Sequence, residues 1–192
     1  MTTMTRTLAG MIALLIGSAA FAQDTELTWK RHTSENGRFS ILFPGTPKEQ
    51  KQQTDSPLGK LNVYSLMVEP NANLAYLVSW NDYPAVIKDD DPQDVLSRVR
   101  DGNNQFLKGK LVADKKLSIG KEKHPAREIE FEFPFMGDTF IYRANVMLVD
   151  NRLYQVVMIG SKEVTHSDAA DDYFRSLKLL PKKPVVCGVE DE

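Results

Sequence analysis

The sequence predicts a single α+β domain, and three observations carry that prediction. Alternating apolar and polar residues mark nine strand segments, 3.6-residue apolar periodicity marks only two helices, and no repeat or low-complexity linker divides them. At 192 residues, 42% hydrophobic and 26% charged, the chain has an ordinary globular composition, which excludes disordered, collagenous, disulfide-scaffold and multi-span membrane classes.

The first segment, Met1 to Ala22, is predicted to be a signal peptide. Arg6 is its only charged side chain, an apolar run follows from Leu8 to Ile16, Gly17-Ser18 weakens the helix, and Ala20-Phe21-Ala22 precedes polar Gln23-Asp24. That is a positive start, a short apolar stretch and an A-x-A cleavage site, placing the cut between Ala22 and Gln23. A membrane anchor needs about 20 apolar residues, and this run is much shorter. No paired arginine and no nearby cysteine point to another export route or to a lipid anchor. The expected product is exported, periplasmic or secreted, with no membrane span after cleavage. A mature chain of this size buries about 70% of its unfolded surface, enough for a core without disulfide staples.

Within residues 23–180 the strands are expected at about Leu27–His32, Arg38–Phe43, Lys48–Thr54, Lys60–Val68, Leu74–Trp80, Leu111–Ile119, Arg127–Phe135, Thr139–Val149 and Arg152–Gly160. Between the fifth and sixth, Asp89-Asp90-Asp91 opens a helix: Asp91 is the N-cap, Pro92 takes the first helical position, and the acids face the helix dipole. A calcium loop would want alternating ligands, a central Gly and a terminal Glu, and Pro92 interrupts that pattern. Val95, Val99, Gly102 and Phe106 share one helical stripe, which Gly109 closes. The second helix starts near Ser167, carries Ala169, Ala170, Tyr173, Phe174 and Leu177 on its apolar face, and ends near Ser176. Residues 181–192 read as a flexible tail holding the only cysteine, Cys187, which a mobile terminus cannot equip as a nucleophile.

Two turn signals set a register for the strands between Arg127 and Gly160. Gly137-Asp138 and Asp150-Asn151 both suit two-residue hairpin loops. If both hold, Phe131 faces Ala144, Leu148 faces Leu153, Ala144 faces Val157 and Glu132 faces Arg143. One side of this meander is apolar. The other grades from Glu128, Glu130 and Glu132 through Arg143, Asn145 and Met147 to Tyr154, Val156 and Met158. That side reads either as a solvated sheet face with its apolar edge under a helix, or as a ligand face. In the second reading Arg143 and Asn145 orient a polar group while Met147, Tyr154 and Met158 form an apolar wall.

Catalytic and cofactor motifs are missing from the sequence. It contains no G-x-S-x-G elbow, H-E-x-x-H, glycine-rich phosphate loop or C-x-x-C, and His32, His124 and His166 show no metal-ligand spacing. No catalytic, cofactor-binding or metal-ligating residue is therefore assigned. With 24 Lys+Arg against 26 Asp+Glu, the chain also shows no overall basic excess of the kind nucleic acid requires.

Several segments resemble those of PsbP-like exported bacterial proteins, the Mog/PsbP fold. They are Trp29, the run Gly37-Arg38-Phe39-Ser40-Ile41-Leu42-Phe43-Pro44-Gly45-Thr46-Pro47, Arg127-Glu128-Ile129, Arg152-Leu153-Tyr154-Gln155-Val156, and Tyr173-Phe174-Arg175-Ser176-Leu177-Lys178-Leu179. The resemblance spans about Leu27 to Leu180. It implies an α/β/α sandwich, a mainly antiparallel sheet flanked by helices, with the closing helix ending in a short strand. Proteins of that fold mostly bind or assemble, and the matching motifs are core and turn positions that transfer no catalytic role. The expected function is an exported, non-catalytic binding or assembly module with an envelope protein as partner. The alternative is a small-ligand or lipid-binding protein using the Arg143 face.

Overall fold

Each of the nine alternating segments forms a strand, and both periodic segments form helices. The computed structural model describes residues 28–182 except 57–58, 85–86, 88–89 and 136. The signal peptide, its Ala22–Gln23 cleavage site, Cys187 and the tail beyond residue 182 lie outside the described residues.

Seven strands make one antiparallel sheet: β3 (Lys48–Ser56), β4 (Gly59–Asn71), β5 (Leu74–Asp82), β6 (Lys110–Ile119), β7 (His124–Phe135), β8 (Asp138–Val149) and β9 (Arg152–Gly160). Their spatial order is β3-β4-β5-β9-β8-β7-β6, so β3 and β6 are the edges. The helix α1 (Pro92–Leu107) covers one face. The other face carries a three-stranded sheet of β1 (Trp29–Ser34), β2 (Phe39–Pro44) and β10 (Lys178–Leu179), with α2 (Lys162–Thr165) and α3 (Asp168–Arg175) beside it. The α+β layering and the short strand after the last helix agree with the expected architecture.

The large sheet is apolar on both faces, and that dictates the layers. Ile129, Phe131, Ala144, Val146, Leu153 and Val157 pack under Val95, Leu96 and Val99 of α1. On the opposite face Tyr76, Trp80, Met147, Tyr154 and Met158 pack against Phe39, Ile41 and Phe43 of β2 and Ala170 and Tyr173 of α3. Every residue of central β9 is buried, as its near-continuous apolar run requires, whereas edge strand β3 is mostly exposed. Each large side chain in these clusters contributes about 2–3 kcal/mol of transfer free energy.

The hairpin joining β8 and β9 has the expected register, with Leu148 opposite Leu153, Ala144 opposite Val157, and Asp150 at positive φ in the loop. The β7–β8 hairpin differs by two residues. Phe135 pairs with Asp138, so Phe131 faces Tyr142, Ile129 faces Ala144 and Arg143 faces Glu130 rather than Glu132. Gly137 supplies its positive φ at the second loop position, the place glycine holds in Asn-Gly loops, and Asp138 begins the strand. A slip of two preserves which side chains share a face, so the apolar side remains as expected.

Three further details depart from the sequence reading. The inner stripe of α1 continues through Gly102 and Asn103, leaving Phe106 exposed. Asn103 instead donates to Gln155 Oε1 at 2.9 Å and to Tyr142 Oη at 3.2 Å, a polar contact within the core. On α3 the fully buried residues are Ala170 and Tyr173, while Phe174 and Leu177 lie half-buried at the rim. The one-turn α2, capped by Ser161, was not expected.

Candidate functional site: a charged cleft at the end of the sheet

The sequence-predicted ligand face is divided by the second layer. Met147, Tyr154 and Met158 are buried against β2 and α3, so their apolar wall lies inside the core rather than along an open surface. Asn145 is half-buried between Glu128 and Val156. Arg143 reaches the two short helices, donating to Thr165 O at 3.0 Å and to Asp171 Oδ1 at 2.9 Å, with its guanidinium 5.0 Å from the Phe174 ring centroid. Those contacts make Arg143 a clasp between sheet and helices. Nearby, His166 places Nε2 3.1 Å from Glu130 Oε2 and Nδ1 2.9 Å from Lys162 O. The neighbouring Thr165 hydroxyl is buried and donates to Ser161 O at 2.9 Å, so it is spent on the backbone of its own turn.

Tyr154 points toward a different location. Its hydroxyl donates to Gly37 O at 2.8 Å in the β1–β2 turn. Two residues earlier on the same face, Arg152 closes a bidentate pair with Asp82, both bonds at 2.6 Å, and donates from Nη1 to Asn36 O at 2.7 Å. Two β9 side chains thus fasten the turn of the small sheet to the end of the large one. Gly37 is needed there, because an added Cβ would sit 2.4 Å from the buried Phe39 ring.

This junction forms a cleft of about 670 Å³, lined by Glu35, Arg38, Asp82, Asp150, Asn151, Arg152, Leu180, Pro181 and Lys182. Arg38 stands at positive φ (57°) and its carbonyl accepts from Leu180 N at 2.8 Å, which carries the chain beyond β10 along the cleft wall. Asn151 and Tyr83 exchange bonds of 2.6 and 2.8 Å, which hold the β8–β9 loop against the chain leaving β5. Glu35, Asp82, Asp150 and Lys182 are exposed in the cleft, and Arg38 is partly so.

The Arg152 hydrogen bonds hold the Asp82 carboxyl below its ordinary range, against the opposing effect of burial. An acid so held is ionised at neutral pH and suited to accepting hydrogen bonds rather than delivering a proton. The lining therefore offers cationic donors beside anionic acceptors on a tied framework. No group of three or more His, Cys, Asp or Glu residues able to hold a metal occurs among the described residues.

The sequence reading did not single out Arg38, Asp82 or Lys182. Arg38 and Arg152 each lie beside a turn at the start of a strand, as Lys48, Lys110 and Asp138 also do, so no local signal set them apart. Their meeting depends on segments more than a hundred residues apart.

No protein-family profile matches the chain, and no curated protein matches it. Solved structures do. The cyanobacterial PsbP (CyanoP) of Synechocystis sp. PCC 6803 is similar at 13% identity and TM-score 0.55, covering 85% of this chain and 98% of that one. LpqN of Mycobacterium tuberculosis, a protein involved in cell envelope biogenesis, aligns at 13% identity and TM-score 0.43 over 80% of this chain and 79% of its own. A Pseudomonas aeruginosa protein of unknown function aligns at 12% identity and TM-score 0.42 over 80% and 97%. The similarity to the cyanobacterial protein, which spans nearly the whole of both chains, gives this chain a PsbP-like fold.

Proposed function

We propose that the protein is an exported, non-catalytic binding module that assembles with an envelope protein through the cleft between Arg38, Asp82, Arg152 and Lys182. The observation that carries this reading is the lining itself: side chains of both signs on anchored turns, beside Leu180 and Pro181. Such a surface matches a polar protein segment carrying its own charges and carbonyls. It is open to solvent and rimmed by charge, and so does not suit a lipid chain, which needs enclosed apolar surface. The small-ligand alternative gains nothing from the Arg143 region, where the side chains that would form its wall are core residues. Export rests on the signal-like start of the sequence and is part of the proposal; no helix among the described residues is long and apolar enough to cross a membrane.

The test is chemical crosslinking of tagged mature protein in its native envelope, followed by capture and mass spectrometry. The expected result is one reproducible envelope protein whose yield falls at least tenfold for Arg38→Glu and Lys182→Glu, and stays unchanged for Arg143→Met. Equal capture by all variants would remove the cleft from the account.

A further inference from the structure

The near-neutral total charge conceals a local excess along one edge of the large sheet. Between residues 108 and 123 the chain carries Lys108, Lys110, Lys115, Lys116, Lys121 and Lys123, all exposed, against two acids. Both acids already have cationic or ionisable partners. Asp114 is bound by Arg127 at 2.6 Å and by Arg100, and Glu122 lies 3.0 Å from His124. On the neighbouring strand Glu128 lies 4.0 Å from Lys115, and Glu132 is the cross-strand partner of Lys110. Because β6 is the outermost strand, the lysines fringe a strip about 30 Å long.

At one end of the strip three large apolar side chains stand in water: Phe106 is 43% exposed, Leu111 41% and Val112 46%. Phe106 comes from the last turn of α1, while Leu111 and Val112 come from the start of β6. The register of β6 against β7 shifts between Leu111 and Ala113, so Val112 is the extra residue of a bulge. The bulge places two consecutive apolar residues at the rim of the sheet.

Protection of an open sheet edge explains some of this, since lysines and bulges discourage strand pairing. The opposite edge shows what protection alone looks like. β3 exposes Lys48 and Lys51 beside Glu49 and three glutamines, with no large apolar residue exposed. The surplus on β6 is positive charge only partly offset by Glu128 and Glu132 of β7, combined with exposed apolar side chains. That combination complements an anionic lipid surface, where lysines meet headgroup phosphates and a few apolar residues enter the boundary below them. The bulge also disfavours the competing occupant, a partner strand added to the edge, by breaking the ladder such a strand would continue.

We propose that the β6 edge docks peripherally on an anionic phospholipid bilayer, with Phe106, Leu111 and Val112 inserted at the interface. This inference uses a different surface from the cleft and extends the envelope reading, on whose export step its physiological setting rests. The decisive experiment is sedimentation of the mature protein with vesicles of phosphatidylcholine alone or mixed with about a third phosphatidylglycerol. Binding is expected only to the anionic vesicles, and weaker as ionic strength rises from about 0.05 to about 0.5 M. Lys115→Gln and Lys116→Gln should each lower the partition coefficient roughly fivefold, and Leu111→Ser should lower it at constant charge. Lys48→Gln on the opposite edge should leave it unchanged, with thermal midpoints confirming that every variant is folded. Equal affinity for neutral vesicles, no binding, or an equal loss for Lys48→Gln would overturn the proposal and leave the edge to an acidic protein surface. The vesicle assay contains no protein partner, so its outcome is independent of the cleft experiment.

Discussion

At the scale of single residues, the charged side chains of this protein divide into those that tie layers together and those that face outward. Asp114 belongs to the first group. Burial pushes its carboxyl up, while hydrogen bonds from Arg100 and Arg127 more than offset that and hold it below the ordinary value. A carboxylate with a depressed folded pKa stabilises the fold fully above the unfolded value of about 3.9, and that contribution fades as pH falls through the folded value. Asp114→Asn leaves Arg127, which is buried, without its counter-charge. The substitution should cost about 2–3 kcal/mol at pH 7. Urea midpoints measured from pH 7 to pH 3 should show wild type and variant converging below about pH 4. A constant gap across that range would mean that the pair contributes by packing and not by charge.

At the scale of elements, local signals were legible and long-range ones were not. The start of α1 was readable because capping is a short-range matter: Asp91 Oδ1 accepts from Gln93 N at 2.7 Å and Asp94 N at 3.3 Å, and Pro92 follows directly. Asp91→Ala should lower stability by about 1 kcal/mol, read from chemical denaturation, without changing the structure of the sheet. The β8–β9 loop was equally readable. In the β7–β8 hairpin one glycine served two neighbouring frames, and the chain adopted the one with Gly137 second in the loop. Face assignment survived because a two-residue slip leaves parity intact. Phe106 was misassigned because the stripe of α1 drifts around the helix, and a polar Asn103 satisfied by Gln155 and Tyr142 takes the inward place. Periodicity alone cannot reveal a polar residue whose partners lie 39 and 52 positions away.

At the scale of the whole molecule, the sheet is sealed on both faces by its own chain, which leaves recognition to its edges and ends. A helix over the apolar edge of this face was legible in the sequence, but the small sheet beside it was not, since Phe39, Tyr154 and Tyr173 meet from distant parts of the sequence. The cleft escaped the sequence reading for the same reason: its walls come from residues 35, 38, 82, 150–152 and 180–182. The export step has its own check. Expression of the full chain in a host with a secretion pathway should yield extracytoplasmic protein beginning at Gln23 by N-terminal sequencing. Recovery of chains beginning at Met1 in the cytoplasm would contradict it.

The central claim is that this fold works by holding a protein partner in the cleft at the end of its sheet. Site-specific photocrosslinking in the native envelope tests it most directly, with the photoreactive residue placed in turn at Glu35, Lys182 and, at the opposite end of the sheet, Thr139. The account predicts the same single protein adduct from Glu35 and Lys182 and none from Thr139. Adducts from Thr139 alone, or no adduct from either cleft position, would contradict it.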